Sequence, residues 1–140
     1  MRRFIVLSAL ALCACGGDKN PSAPPRDSDL ASNFSHPIDA RGADPDWGLK
    51  IRGLQLTLDR PNQPDLVGQA PGAVIEPHEA SWTAALPNGQ AMKVSVYASP
   101  CTDNATGAAY PFAVEVLLAG ATPLNGCGAP ISSPRAPPKR

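Results

Sequence analysis

Few side chains in this 140-residue chain are of the kinds that perform chemistry. There are two histidines, His36 and His78. His78 lies in Glu76-Pro77-His78-Glu79, where an imidazole and carboxylates could hold a divalent cation. Neighbours along one irregular segment rarely converge on one ion, and no further ligand stands at metal-site spacing. The segment reads as a polar surface loop, and no metal or cofactor is expected. Asp44 and Asp46 flank Pro45 as a pair of acids, and they read as solvated. No nucleophile elbow marks a serine for acyl transfer. No glycine-rich loop opens a helix to cradle phosphate. The expectation is a chain with no catalytic residues. The thiols remain: Cys13, Cys15, Cys101 and Cys127. Their chemistry is acylation, disulfide formation or metal ligation.

The surroundings of Cys13 and Cys15 separate these options. Met1-Arg2-Arg3 is positively charged, and Phe4 to Ala14 is an uncharged apolar run. A charged start, a short apolar core and a small residue before a cleavage point describe a secretory signal peptide. The run is too short to span a bilayer, which takes about 20 residues. Leu12-Cys13-Ala14-Cys15 resembles the lipobox of bacterial lipoproteins, with Leu12 at the third position before the modified cysteine and Ala14 directly before it. Cys13 does not fit, because Leu12 would then sit directly before it. The resemblance implies cleavage after residue 14 and lipidation of Cys15 by diacylglycerol and an N-acyl chain such as palmitate. Each buried CH₂ contributes about 0.8 kcal/mol, so several chains make a stable anchor. Gly16, where an Asp would signal retention, implies sorting to the outer membrane facing the periplasm. Cys101 and Cys127 are then the two thiols left in an oxidising compartment, and they read as one disulfide. It closes a loop of about 27 residues, worth roughly 3–4 kcal/mol in the chain-entropy model.

Composition divides the chain further. Residues 16–33 are Gly, Pro, Ser and alternating charges, with too little apolar surface to offset ordering entropy. They read as a disordered tether with a reach of about 25 Å. Residues 129–140 carry four prolines together with Arg135, Lys139 and Arg140, and read as an unfolded basic tail. The expected folded part is 34–128, where five Lys/Arg face nine Asp/Glu. A mildly acidic domain is a poor candidate for nucleic acid, which demands a basic stripe.

Within 34–128 the hydrophobic period is two. Trp47, Leu49 and Ile51 alternate with Gly48, Lys50 and Arg52; Leu54, Leu56 and Leu58 follow after a phase slip at Gly53, which marks a bulge or tight bend. Phe112, Val114, Val116 and Leu118 form another run. Such runs, broken by Pro and Gly, predict half-buried antiparallel strands. Register can be read at one hairpin. With Pro87-Asn88-Gly89 as a three-residue loop, Leu86 meets Gln90, Ala84 meets Met92 and Trp82 meets Val94, all apolar on one side. A two-residue loop would turn Met92, Val94 and Val96 away from Trp82, so burial selects the longer loop. A second hairpin is expected through Ala119-Gly120-Ala121. Residues 66–79 have a weak pattern and read as a short helix or turn. The expected fold class is all-β, a small antiparallel barrel or sandwich of about six or seven strands with one disulfide.

Two segments carry more pattern than a strand needs. Gly42, Pro45, Trp47, Leu49 and Ile51 form G-x-x-P-x-W-x-L-x-I. Cys101, Asp103, Tyr110, Pro111, Gly126, Cys127 and Gly128 form C-x-D…Y-P…G-C-G. Together with the lipobox these resemble a family of small bacterial envelope lipoproteins. The resemblance implies a compact exported domain with Cys101 paired to Cys127, and it brings no activity with it. On physical grounds Trp47 and Trp82 are core anchors, and Asp103 is suited to accept backbone N–H groups and shape the loop after Cys101. Thr106-Gly107-Ala108-Ala109-Tyr110 resembles the Ser-Gly-x-x-Tyr loop of periplasmic inhibitors of c-type lysozyme, with Thr106 in place of Ser and Ala109 where a basic residue is expected. That resemblance implies a partner-binding loop containing Thr106, Gly107 and Tyr110. The leading expectation is a lipid-anchored, non-enzymatic module that binds an envelope protein or glycan or stabilises the envelope. The alternatives are a lysozyme inhibitor, and an envelope hydrolase whose site carries no motif.

Overall fold

A computed structural model of the chain describes residues 34–131. The signal peptide, Cys15 and the tether lie outside the described residues, as does the tail from residue 132. Eleven strands follow one another: β1 (Ile38–Gly42), β2 (Trp47–Arg52), β3 (Gln55–Asp59), β4 (Leu66–Gln69), β5 (Ala73–Glu76), β6 (Glu79–Ala85), β7 (Ala91–Tyr97), β8 (Cys101–Thr102), β9 (Ala109–Tyr110), β10 (Phe112–Leu118) and β11 (Leu124–Pro130). All pairings are antiparallel. The order β4-β3-β2-β1-β11-β10-β7-β6 closes on itself through Gln69 opposite Ala85, giving a barrel of eight strands. The strands close where small residues meet: a Cβ on Gly68 would lie 2.7 Å from that of Ala84.

The expected six or seven strands are therefore too few. The difference lies largely in 66–79, which forms β4 and β5 instead of a helix or turn. β4 carries Gly68 on its inner face, so it has little alternation to read. β5 is exposed at all four positions, because it lies along the first half of β6 at the end of the sheet. Strand β11 also runs past the expected boundary at residue 128. Ala129 and Pro130 pair with Asp39 and Ile38 of β1, beyond the last residue that β10 pairs. The Ile131 N–H donates to Pro37 O on the β1 side. The nitrogen of Pro130 therefore points to the side that β10 has left, an edge position where a missing N–H breaks no ladder.

The Pro87-Asn88-Gly89 loop has the expected three-residue form. Trp82 lies opposite Val94 and Ala84 opposite Met92. The Leu86 N–H donates to Gln90 O at 2.9 Å, and Gly89 closes the turn at φ +81°. The phase slip at Gly53 is a tight two-residue turn, Gly53-Leu54, which leaves Leu54 exposed. The hairpin turning at 119–121 forms, but with a wider connection than expected: Val116 lies opposite Leu124, and Leu117 and Leu118 pair with β7 alone.

Side chains fill the barrel. Ile38, Leu49, Leu56, Leu58, Met92, Val94, Val96 and Val116 are fully buried along its wall. Phe34, just before β1, plugs one end against Phe112, with ring centroids 5.3 Å apart. Trp47 plugs the other, lying across Gly42 and Gly126. Room for the indole exists because Gly42 on β1 and Gly126 on β11 face inward beneath it. A methyl on Gly126 would fall 2.7 Å from Trp47 Cζ2 and onto the backbone of Arg41. Gly126→Ala is therefore expected to cost about 1–3 kcal/mol by overpacking. Gly48→Ala, with nothing within 4 Å, is expected to leave stability unchanged. Urea midpoints of the two variants check this, and equal midpoints would contradict the packing described.

Candidate functional site

After β7 the chain leaves the barrel, makes the β8–β9 hairpin over its outer surface, and returns at Phe112. Alternation on β11 places this hairpin. Gly126 and Gly128 face inward, so Cys127 faces out, and its disulfide to Cys101 pins β8 to the wall with a Cα–Cα distance of 5.5 Å. The Cys101 sulfur also lies 3.4 Å from the carbonyl oxygen of Gly126. The expected pair is thus formed, and it ties the last strand to the segment after Tyr97.

Asp103 organises the hairpin from within. Its Oδ1 accepts from the Ala105 N–H at 2.9 Å, and its Oδ2 accepts from Thr106 Oγ1 at 2.9 Å. Its N–H donates to Ala108 O, and its own carbonyl accepts from the Gly107 N–H at 2.7 Å. Gly107 adopts φ +71°, which lets the chain turn back at that point. Arg41 Nε on β1 stands 3.7 Å from Asp103 Oδ2. The carboxylate is 8% exposed, one of two buried polar side chains among the described residues. Donation from the Ala105 N–H and the Thr106 hydroxyl, aided by Arg41, holds its pKa below the ordinary 3.8, against the opposing effect of burial.

The resemblance-derived residues Thr106, Gly107 and Tyr110 come together here, in different roles. Thr106 turns its hydroxyl inward to Asp103. Gly107 makes the turn. Tyr110 pairs with Cys101 and is half-buried. The tip, residues 104–109, is exposed throughout. Trp47 and Trp82 are core residues, 5% and 3% exposed, and take no part in this surface. Cys15 lies outside the described residues. A groove of about 380 Å³ runs between the hairpin and the wall, lined by Arg41, Tyr97, Asp103, Glu115 and Asn125 among others. Sequence reading missed Arg41, Glu115 and Asn125 as neighbours. Their signal is the outward register: Arg41 opposes Cys127, and Glu115 opposes Asn125.

Other chemistry-bearing residues stay apart. Pro77 and His78 form the turn between β5 and β6, with Glu76 opposite Glu79. No group of three or more His, Cys, Asp or Glu is placed to hold a metal among the described residues. A second hollow, about 390 Å³, lies at the rim plugged by Trp47, between Pro45, Arg60, Pro61, Leu118 and Leu124. Arg60 Nε is buried there without an acceptor. That atom is sealed from solvent, so an anion in the hollow reaches it only after the guanidinium turns.

No family model, curated protein or solved structure matches the chain.

The ionised Asp103 makes the hairpin pH-sensitive. Its folded pKa is depressed, so its stabilising contribution is complete above 3.8 and is lost as pH falls through the lower folded value. Asp103→Asn keeps one acceptor and loses the charge. The wild type is expected to be the more stable at pH 7, with the difference shrinking as pH drops below 3.8. Thermal melts of both proteins from pH 7 to pH 2 check this, and a difference independent of pH would contradict it.

Proposed function

We propose that this chain is a lipid-anchored lipoprotein of the bacterial envelope whose barrel is a non-enzymatic binding module, engaging another envelope component through the β8–β9 hairpin and the groove beside it. The observation that carries this reading is the hairpin itself. Its tip is exposed at every position from 104 to 109, yet it is held at its base by a disulfide and from within by Asp103. A loop ordered in advance on a rigid scaffold loses little entropy when it docks. The filled interior supports the same reading, since no ligand-sized lumen competes with the outer surface. Asp103 has its oxygens engaged by loop donors and is not available as a general base. The lipobox-like Leu12-Cys13-Ala14-Cys15 supports the anchor, and a disulfide accords with an oxidising compartment.

A second reading, inhibition of c-type lysozyme, is favoured by one observation: residues 106–109 lie on an exposed tip braced by Asp103 and the disulfide, so the loop is ordered before any cleft receives it. The negative charge of the domain would attract a cationic enzyme.

Three measurements divide these statements. Replacing Cys15 with Ser is expected to abolish acyl labelling and leave the precursor uncleaved; continued labelling would remove the anchor. A photo-crosslinking residue at position 108 is expected to capture one envelope component stoichiometrically, while the same residue at Thr57 on the β3 wall does not. Equal capture at both positions would remove the hairpin as the working surface. Inhibition of hen-type lysozyme by the wild type, lost on Gly107→Glu, would promote the second reading. Absence of inhibition would end it.

A further inference from the structure

Exposed apolar side chains are not scattered evenly over the barrel. Leu54, Val67, Val74, Ile75 and Ile131 are the exposed large hydrophobics among the described residues. Strand alternation locates them. β1, β3, β6 and β10 begin at one end of the barrel, and β2, β4, β7 and β11 finish there. The Gly53-Leu54 turn, the β5 segment between β4 and β6, and Ile131 after β11 therefore all lie at that end. Four of the five exposed apolar side chains share it, and only Val67 stands on the wall. β5 adds to the patch because it pairs only with β6 and leaves its other edge free; Val74 is 63% exposed and Ile75 is 45% exposed. The opposite rim, at Pro45, Arg60 and Thr122, carries none of them.

Both ends of the described chain leave from this same apolar end. The Ile131 N–H donates to Pro37 O at 2.7 Å, so the two ends lie side by side. Upstream, Cys15 is 19 residues before Phe34. Downstream, residues 132–140 bring Arg135, Lys139 and Arg140 without a single acid. The chain leading to the expected lipid anchor and the chain leading to the basic segment therefore both leave the described residues at the apolar end. From this convergence we infer that the barrel docks end-on against the lipid surface that holds its anchor. Leu54, Val74 and Ile75 enter the headgroup boundary, and the basic segment pairs with anionic headgroups. Glu76 and Glu79, opposite one another beside the Pro77-His78 turn at this same end, set two carboxylates at the edge of the apolar patch and oppose the attraction there. The inference rests on the lipid-anchored reading, and it sends the rim with Pro45 and Arg60 away from the membrane.

The experiment uses the full lipidated chain in vesicles of phosphatidylcholine and phosphatidylglycerol, 3:1. A nitroxide is attached through Leu54→Cys or Val74→Cys, with Asn88→Cys on the far rim as control. All three are exposed sites, so the labels leave the core intact. Collision rates with oxygen, which partitions into lipid, are compared with those of a water-soluble nickel chelate. Labels at 54 and 74 are expected to favour oxygen several-fold over the label at 88. Equal, water-like values at all three sites would overturn the inference. So would spin–spin broadening at 74 that reports a second copy on β5. Flotation with the vesicles is scored separately, against Cys15→Ser. A chain that floats with water-like labels fails the docking inference alone, whereas a wild type that does not float fails the anchor.

Discussion

The indole of Trp47, lying across glycines on two neighbouring strands, sets the terms for the rest of the molecule. A barrel of eight strands has an interior just wide enough for side chains to fill. Filling this one with a tryptophan at its rim demands a strand that contributes no side chain beneath the ring. β11 does so at Gly126, and Gly128, also turned inward, leaves room for Val114 and Ala40. Because side chains alternate along a strand, the residue between them must face out. That residue is Cys127. Core packing and the placement of the surface hairpin are thus two faces of a single Gly-Cys-Gly triplet. A one-residue slip of β11 would push side chains into the indole and carry the cysteine inside, losing both at once.

This coupling explains which parts were legible in the sequence. The Pro87–Gly89 loop was readable to the residue, because only one register buries Trp82, Ala84, Met92 and Val94 together. The Cys101–Cys127 pair and the role of Asp103 were readable from residue type and setting. Strands β4 and β5 were not. Gly68 has no side chain to mark an inner face, and β5 buries neither of its faces, so no period of two survives there. The groove beside the hairpin was hidden for another reason. Arg41, Glu115 and Asn125 are distant in sequence and meet only through the pairing of β1, β10 and β11. Pro130 read as a sign of an unfolded tail. It belongs to a strand because its nitrogen falls on the side where no partner remains.

A filled interior leaves the outer surface as the part that differs from place to place, and that surface is divided. One flank carries the hairpin, whose order comes from a disulfide and a buried carboxylate rather than from strand length, since β8 and β9 have only two residues each. The end where the chain enters and leaves carries the exposed apolar side chains. These surfaces draw on separate parts of the sequence, so changes at one need not disturb the other.

The bond between Ile131 and Pro37 closes the chain's course near where it began. It also bears on how the domain carries load. A pull arriving at Phe34 enters β1, which is flanked by β2 on one side and β11 on the other. The force then runs parallel to both ladders, so their hydrogen bonds are sheared together instead of being opened one after another. From β11 it passes through a covalent bridge into the hairpin. A load applied between Phe34 and the hairpin tip therefore takes a short mechanical path through β1, β11 and one disulfide, and the other side of the barrel, β3 to β6, stays slack.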